Sequence, residues 1–317
     1  MNLIKKIAVC SRSFSRNKTL CDELLKKYDN VVFNDKGLSL HGDSLIEFLQ
    51  GATHAIVALE KIDATILSKL PDLEVISKYG VGLDMIDINA MNKYSVKLGW
   101  TGGVNRRSVS ELVIAFSISL LRHVPAAHKE VLSGIWKQHI GGHLSGRTVG
   151  IIGCGFVGKD LIKLLQSFGC NILANDIRNY DKFYKKYNVK SVSKEELLAK
   201  SDIVTLHTPL NNSTRNMLNS ERLSIMNSNA ILINVARGGL VDEVALKNML
   251  ISKEIAAAAF DVFTVEPPED LELINLDNFL VTPHIGGSSQ EAILAMGMAA
   301  IDGINNNSSP RQFLINT

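Results

Sequence analysis

The chain has 317 residues, 46% of them hydrophobic and 21% charged, with 34 basic against 32 acidic side chains for a formal charge of +2. At about 150 residues per domain that length predicts two domains, and the composition excludes general disorder, low-complexity and collagen-like architecture. The balanced charge predicts neither nucleic acid nor an anionic membrane as a partner.

After Lys5-Lys6 the apolar run at the start of the chain is only four residues long, which is not secretory leader anatomy. The longest apolar stretch, Leu112–Leu121, is ten residues and contains two serines, whereas a membrane-spanning helix needs about 20. The four cysteines (Cys10, Cys21, Cys154, Cys170) form no C-x-x-C pair, so a reducing, cytoplasmic location is expected. The eight histidines show no helical H-x-x-x-H pair, and no metal site is expected.

Through the first hundred residues short β-rich runs alternate with helical patterns. Ile7–Cys10, Val31–Asn34, Ala55–Leu59, Leu73–Ser77 and Val96–Trp100 read as strands; Asn17–Tyr28, Asp43–Gln50, Asp63–Leu70 and Ile86–Tyr94 read as helices. This order predicts parallel strands joined by crossover helices. One long helix is then expected from about Arg107 into Ala126–Leu132, apolar on more than one face and therefore inside a domain or at a subunit interface. A second alternation follows, with strands at Thr148–Gly153, Asn171–Asp176, Asp202–His207, Ala230–Val235, Ala256–Val262 and Phe279–His284, apolar enough to be covered on both faces. Helix starts are signalled by Ser193-Lys-Glu-Glu196, by Asp242, and by Ser288-Ser-Gln-Glu291. Only 33 residues follow His284, too few for an appended regulatory domain.

Gly153-Cys154-Gly155-Phe156-Val157-Gly158 is a G-x-G-x-x-G run between an apolar strand and a helical pattern. Gly153 permits the tight turn, Gly155 lets a pyrophosphate approach the backbone, and Gly158 lets helix and strand pack. Free N–H groups at the helix start, over Phe156 and Val157, then meet the phosphate charge. Asp176 ends the next strand, 23 residues after Gly153, where a carboxylate accepts the ribose hydroxyls of NAD and repels the extra phosphate of NADP. Arg178 nearby is the feature that would favour NADP instead.

Three later strand ends carry Asn234-Val-Ala-Arg237-Gly-Gly, Asp261-Val-Phe-Thr-Val-Glu266-Pro-Pro and Thr282-Pro-His284-Ile-Gly-Gly. Ligands of open α/β sheets bind outside the carboxyl ends of the strands, so Arg237, Glu266 and His284 are expected to face one crevice. An arginine fork suits a carboxylate, histidine exchanges protons near neutrality, and a neighbouring carboxylate favours the imidazolium. Taken singly, each has a structural alternative: a satisfied strand-end histidine, a solvated loop glutamate, a surface turn.

Together with Tyr79-Gly-Val-Gly-Leu-Asp84, Ser108-Val-Ser-Glu111 and His207-Thr-Pro-Leu210, these segments resemble the D-isomer-specific 2-hydroxyacid dehydrogenase family, and within it the D-3-phosphoglycerate dehydrogenase-like branch. The Arg–Glu–His spacings of 29 and 18 residues fit it. The resemblance implies an NAD-dependent oxidoreductase in which Arg237 holds the substrate carboxylate, His284 is the general acid/base and Glu266 its partner. The backbone around Val81 and Gly82 would bind the carboxylate from the other side, Asp261 would contact the nicotinamide carboxamide, and His207, Thr208, Pro209, Val235 and Ala236 would line the cofactor cleft. It further implies a doubly wound (Rossmann) α/β domain, residues 103–285, inserted into a smaller flavodoxin-like α/β substrate domain formed by residues 1–102 and 286–317, and a homodimer built through the long helix.

The resemblance implies a 2-keto or 2-hydroxy acid as substrate, with 3-phosphoglycerate/phosphohydroxypyruvate and hydroxypyruvate/glyoxylate both open. Phosphate-handling relatives usually present arginines, but Lys78 precedes Tyr79 here and Ala55–Lys61 contains no arginine. Lys78 either serves a phosphate as a point charge or ends a strand in solvent. Trp100 stands where relatives commonly carry a smaller polar residue. The alternatives are a biosynthetic dehydrogenase for a phosphonate or sugar-derived acid, and a dinucleotide-sensing scaffold like the family's corepressors.

Overall fold

The computed structural model describes residues 6–316, with side chains through residue 313. Residues 1–5, part of the stretch read above as lacking leader anatomy, lie outside the described residues. Two compact units form: Met1–Asn105 with Gln290–Thr317, and Arg106–Ser289.

The first unit contains five parallel strands, β1 (Ile7–Val9), β2 (Val31–Phe33), β3 (His54–Val57), β4 (Val75–Lys78) and β5 (Lys97–Gly99), in the order β2-β1-β3-β4-β5. This is the flavodoxin order. Successive side chains feed opposite faces: Ala8, Ala55, Val57, Ile76 and Leu98 pack in one cluster, Ile7, Val9 and Ile56 in another. The last helix, Gln290–Gly303, covers the second face, and the buried Ser77 hydroxyl donates to Ala300 O at 2.6 Å. It starts one residue later than a cap at Ser288 predicts. Beyond it, Ser308 pairs antiparallel with Leu98, and the chain closes in the 3-10 turn Pro310–Asn316.

The second unit contains seven parallel strands: β6 (Thr148–Ile152), β7 (Asn171–Asn175), β8 (Val189–Ser191), β9 (Ile203–Leu206), β10 (Ile231–Asn234), β11 (Ala257–Phe260) and β12 (Phe279–Val281), ordered β12-β11-β10-β9-β6-β7-β8. This is the doubly wound order, with its reversal between β6 and β9. Both faces are covered: Val204, Leu206, Leu232 and Phe260 pack on one side, Ile151, Ile203, Ile231 and Ile233 on the other. That two-sided burial explains the near-continuous apolar strands. Caps at Ser193 and Asp242 form as read, their oxygens accepting from Glu196 N at 3.0 Å and Ala245 N at 3.0 Å.

The single long helix expected after Arg107 is instead two, Arg106–Leu121 and Val124–Leu132, bent by 61°. Pro125 has no N–H for the carbonyl of Leu121 four residues back, and His123 turns left-handed at φ 55°. Gly142 N donates to the freed Leu121 carbonyl at 2.9 Å. The first helix is tied to the glycine-loop helix, Phe156–Leu165, by Arg107, which grips buried Asp160 with two bonds of 2.8 and 3.2 Å. Desolvation alone would raise the Asp160 carboxyl, but the guanidinium holds it below the usual carboxylate range. Among the described residues no single helix is long and apolar enough to cross a membrane.

Candidate active site and cofactor cleft

Every candidate residue of the second unit follows the carboxyl end of a strand. Along the sheet edge, His284 follows β12, Asp261 β11, Arg237 β10, His207 β9, Gly153 β6 and Asp176 β7. Five strand spacings of about 4.8 Å spread these residues over roughly 24 Å, with the glycine loop at the topological reversal where such sheets bind ligands.

At the glycine loop, Gly153 adopts φ 96°, and a Cβ there would lie 2.5 Å from His207 O, so only glycine serves. A Cβ at Gly155 would meet nothing within 4 Å, leaving open space above the loop. Helix Phe156–Leu165 begins immediately, and its first amides have no partner within the helix. Asp176 is bound into the loop: Oδ2 accepts from Cys154 N at 2.5 Å and Oδ1 from Arg178 N at 2.8 Å. Burial pushes the Cys154 thiol up to about 11, so the loop carries no thiolate. His207 Nε2 lies 3.0 Å from Thr205 Oγ1, and desolvation lowers its imidazole to about 3. The Thr208 hydroxyl is buried without a hydrogen-bond partner among the described residues. An open glycine cradle, amides at a helix start, a ribose-reach carboxylate and an orphaned hydroxyl are the donor and acceptor set a dinucleotide requires.

At the other end of the edge, His284 Nδ1 lies 2.9 Å from Glu266 Oε2, and both side chains are about half exposed. Glu266 Oε1 also accepts from Phe263 N at 3.1 Å, which fixes the carboxylate. His284 sits at φ 56°. Its loop is clamped by buried Asp261, whose carbonyl accepts from His284 N at 2.9 Å and whose carboxylate accepts from Thr282 Oγ1, Ile285 N and Gly286 N at 2.5–2.7 Å.

Arg237 is held by a turn built on fully buried Asn234. Asn234 Nδ2 donates to Arg237 O at 2.8 Å, and its Oδ1 accepts from Ala236 N at 3.1 Å. A Cβ on Gly238 would collide with the backbone of Phe263 and Thr264. The absent side chain therefore lets the Arg237 turn pack directly on the loop leading to Glu266. Neither Asn234 nor Asp261 was singled out as a support by the sequence, although both stand in the segments that carry the catalytic candidates.

Lys78, Tyr79, Val81 and Gly82 belong to the first unit. Lys78 is 6% exposed, which overturns the solvated strand-end alternative; its ammonium donates to Ala58 O at 2.6 Å and Tyr79 O at 3.3 Å. The Tyr79 ring is buried edge-on against Phe14, its N–H donates to Val57 O at 2.8 Å and its carbonyl accepts from Lys78, so both ring and backbone of that residue are engaged within the unit.

The family described as D-isomer specific 2-hydroxyacid dehydrogenase, NAD binding domain, matches residues 114–286, more than half of the chain. The chain is a member of the D-isomer-specific 2-hydroxyacid dehydrogenase family. It is 34% identical over 294 residues to the D-3-phosphoglycerate dehydrogenase of Methanocaldococcus jannaschii, covering 90% of this chain and 55% of that one. The hydroxypyruvate reductase of Thermotoga maritima is 33% identical over 294 residues, covering 89% and 95%. The D-lactate dehydrogenase of Aquifex aeolicus, solved with NAD and lactic acid, superposes with a TM-score of 0.82 at 25% identity, covering 94% and 93%. This family member thus spans about half the length of the phosphoglycerate dehydrogenase and nearly all of the hydroxypyruvate reductase. Its second unit is the NAD-binding domain of the family.

Proposed function

We propose that this protein is an NAD-dependent oxidoreductase interconverting a small, non-phosphorylated 2-keto acid and its D-2-hydroxy acid, of the hydroxypyruvate or glyoxylate kind. The observation that carries this is the His284–Glu266 pair, 2.9 Å apart on the sheet edge that also bears Arg237 and the glycine loop. Bound NADH supplies the hydride for reduction, and NAD accepts it in the reverse direction.

The chain's own residues do the rest. Arg237 grips the substrate carboxylate and polarises the carbonyl. His284, protonated at Nε2, gives its proton to the carbonyl oxygen, and in oxidation takes one from the hydroxyl. Glu266 holds Nδ1 and fixes the orientation of the ring. Amides at Val81 and Gly82 provide a second set of carboxylate donors. Gly153, Gly155, Phe156, Val157, Gly158, Asp176, His207, Thr208, Pro209, Val235 and Ala236 hold the cofactor; Asp261 orders the His284 loop and contacts the carboxamide.

Lys78 favours the non-phosphorylated substrate. Its charge is turned onto carbonyls at Ala58 and Tyr79, and Glu60 places a carboxylate on the same loop, 2.6 Å from Ala58 N. A phosphate there would have to draw the Lys78 ammonium off those carbonyls and lie beside the Glu60 carboxylate. Two protomers associate through the apolar arm Val131–Ile140, where Trp136 is 87% and Ile140 98% exposed. The four free thiols fit a reducing cytoplasm.

NADH consumption with hydroxypyruvate, glyoxylate and phosphohydroxypyruvate tests the assignment. Turnover of the first two at higher kcat/KM than the third is expected, with His284→Ala losing about 10²–10⁴-fold while still binding NADH. A preference for phosphohydroxypyruvate would overturn the substrate class, and tight NADH binding without turnover would favour the dinucleotide-sensing scaffold.

A further inference from the structure

We infer that Trp100 is a positioning residue for the substrate loop, holding the Val81–Gly82 peptide in orientation and held in turn by the C-terminal turn. The inference rests on the proposal above that the Val81 and Gly82 amides bind the substrate carboxylate.

Trp100 follows β5, and its indole Nε1–H donates to the carbonyl of Val81 at 3.0 Å. Val81 O and Gly82 N–H belong to one peptide unit. In a planar trans peptide the C=O and N–H point in opposite directions. Fixing the carbonyl on the indole therefore aims the Gly82 N–H away from it, and the plane cannot rotate without breaking that bond. No carbonyl or side chain among the described residues accepts from the Val81 or Gly82 amides, so both remain available to a ligand.

The indole is itself braced. Phe313 meets it edge-on, with ring centroids 5.3 Å apart and planes at 80°, and both rings pack against the apolar cluster on that face of the five-stranded sheet. The segment carrying Phe313 is fastened just before its turn, where Leu98 N donates to Ser308 O at 2.9 Å and Ser308 N to Leu98 O at 3.1 Å. The last residues of the chain thus reach the substrate loop through two rings and one hydrogen bond. A smaller polar side chain at position 100 would have neither the reach of the indole nor its ring contact.

The test compares Trp100→Phe, which keeps a ring against Phe313 but removes the N–H, with Phe313→Leu, which keeps an apolar contact but removes the edge-on brace. Gly82→Pro, which deletes the amide donor itself, is the reference. For Trp100→Phe the expected result is a rise of about five- to tenfold in KM for the 2-keto acid, with kcat, NADH affinity and melting temperature nearly unchanged. Phe313→Leu should move KM in the same direction by less. An unchanged KM in Trp100→Phe, while Gly82→Pro raises it, overturns the role of Trp100 alone. An unchanged KM in Gly82→Pro removes the loop from carboxylate binding, and the inference falls with it. A Trp100→Phe variant that loses NADH affinity and melting temperature together with KM reports general damage, and this too counts against a positioning role.

Discussion

Glu266 uses its two oxygens for different purposes, one on the backbone of Phe263 and one on the ring of His284. The first bond fixes where the carboxylate stands, and the second fixes the orientation of the ring. Glu266→Gln should therefore lower kcat for keto-acid reduction, because the ring loses its fixed orientation, while NADH affinity stays unchanged. His207, whose imidazole desolvation lowers to about 3, stays neutral near neutral pH and supplies no proton. An unchanged kcat in Glu266→Gln would remove the carboxylate from positioning the ring.

At the scale of elements, the Arg237 turn depends on an absence. Gly238→Ala would drive a methyl group into the Phe263–Thr264 backbone, and such overpacking costs about 1–3 kcal/mol. Both melting temperature and kcat/KM should fall, since the displaced turn carries Arg237; a variant retaining both would show that the close approach is dispensable. Close approaches of this kind are invisible in a sequence, where Gly238 reads only as flexibility. The strands were legible because two-sided burial writes long apolar runs, as in Ile231–Asn234 and Ala257–Phe260. Strand β8 was not, because an edge strand of three residues with Lys190 and Ser191 exposed carries no such run. The helix break was encoded by Pro125, but the apolar pattern continues through it and suggested one element. Among the candidate residues, the glycine loop and the Arg237–Glu266–His284 set could be named from side-chain chemistry, and the structure sets Glu266 2.9 Å from His284. Their supports could not: Asn234 and Asp261 act through buried hydrogen bonds that leave no periodic signature.

At the scale of the molecule, the arm after the helix break exposes several large apolar side chains close together. Ile135, Trp136 and Ile140 are at least half exposed within six residues. If a second copy covers them, as proposed, the association is sensitive to polarity there. On the proposed dimer, Trp136→Ser combined with Ile140→Ser should give a monomer in sedimentation velocity at concentrations where the unaltered chain is expected to sediment as a dimer. A double variant that sediments unchanged would place the interface elsewhere.

The helix Gln290–Gly303 belongs to the unit that begins the chain, and its Ala300 carbonyl receives the hydroxyl of Ser77 across 223 residues of sequence. Between the two parts of that unit lie residues 106–289, a contiguous stretch of 184 residues. At ribosomal rates of about 5–20 residues per second, the first five strands emerge and then wait roughly 9–37 s for the helix that covers one of their faces. The cofactor-binding unit has no such delay, since all of its chain is present once residue 289 appears. Synthesis therefore imposes an order on assembly: the inserted unit can be complete while its host still exposes Ile7, Val9 and Ile56, the residues a nascent-chain chaperone would meet first.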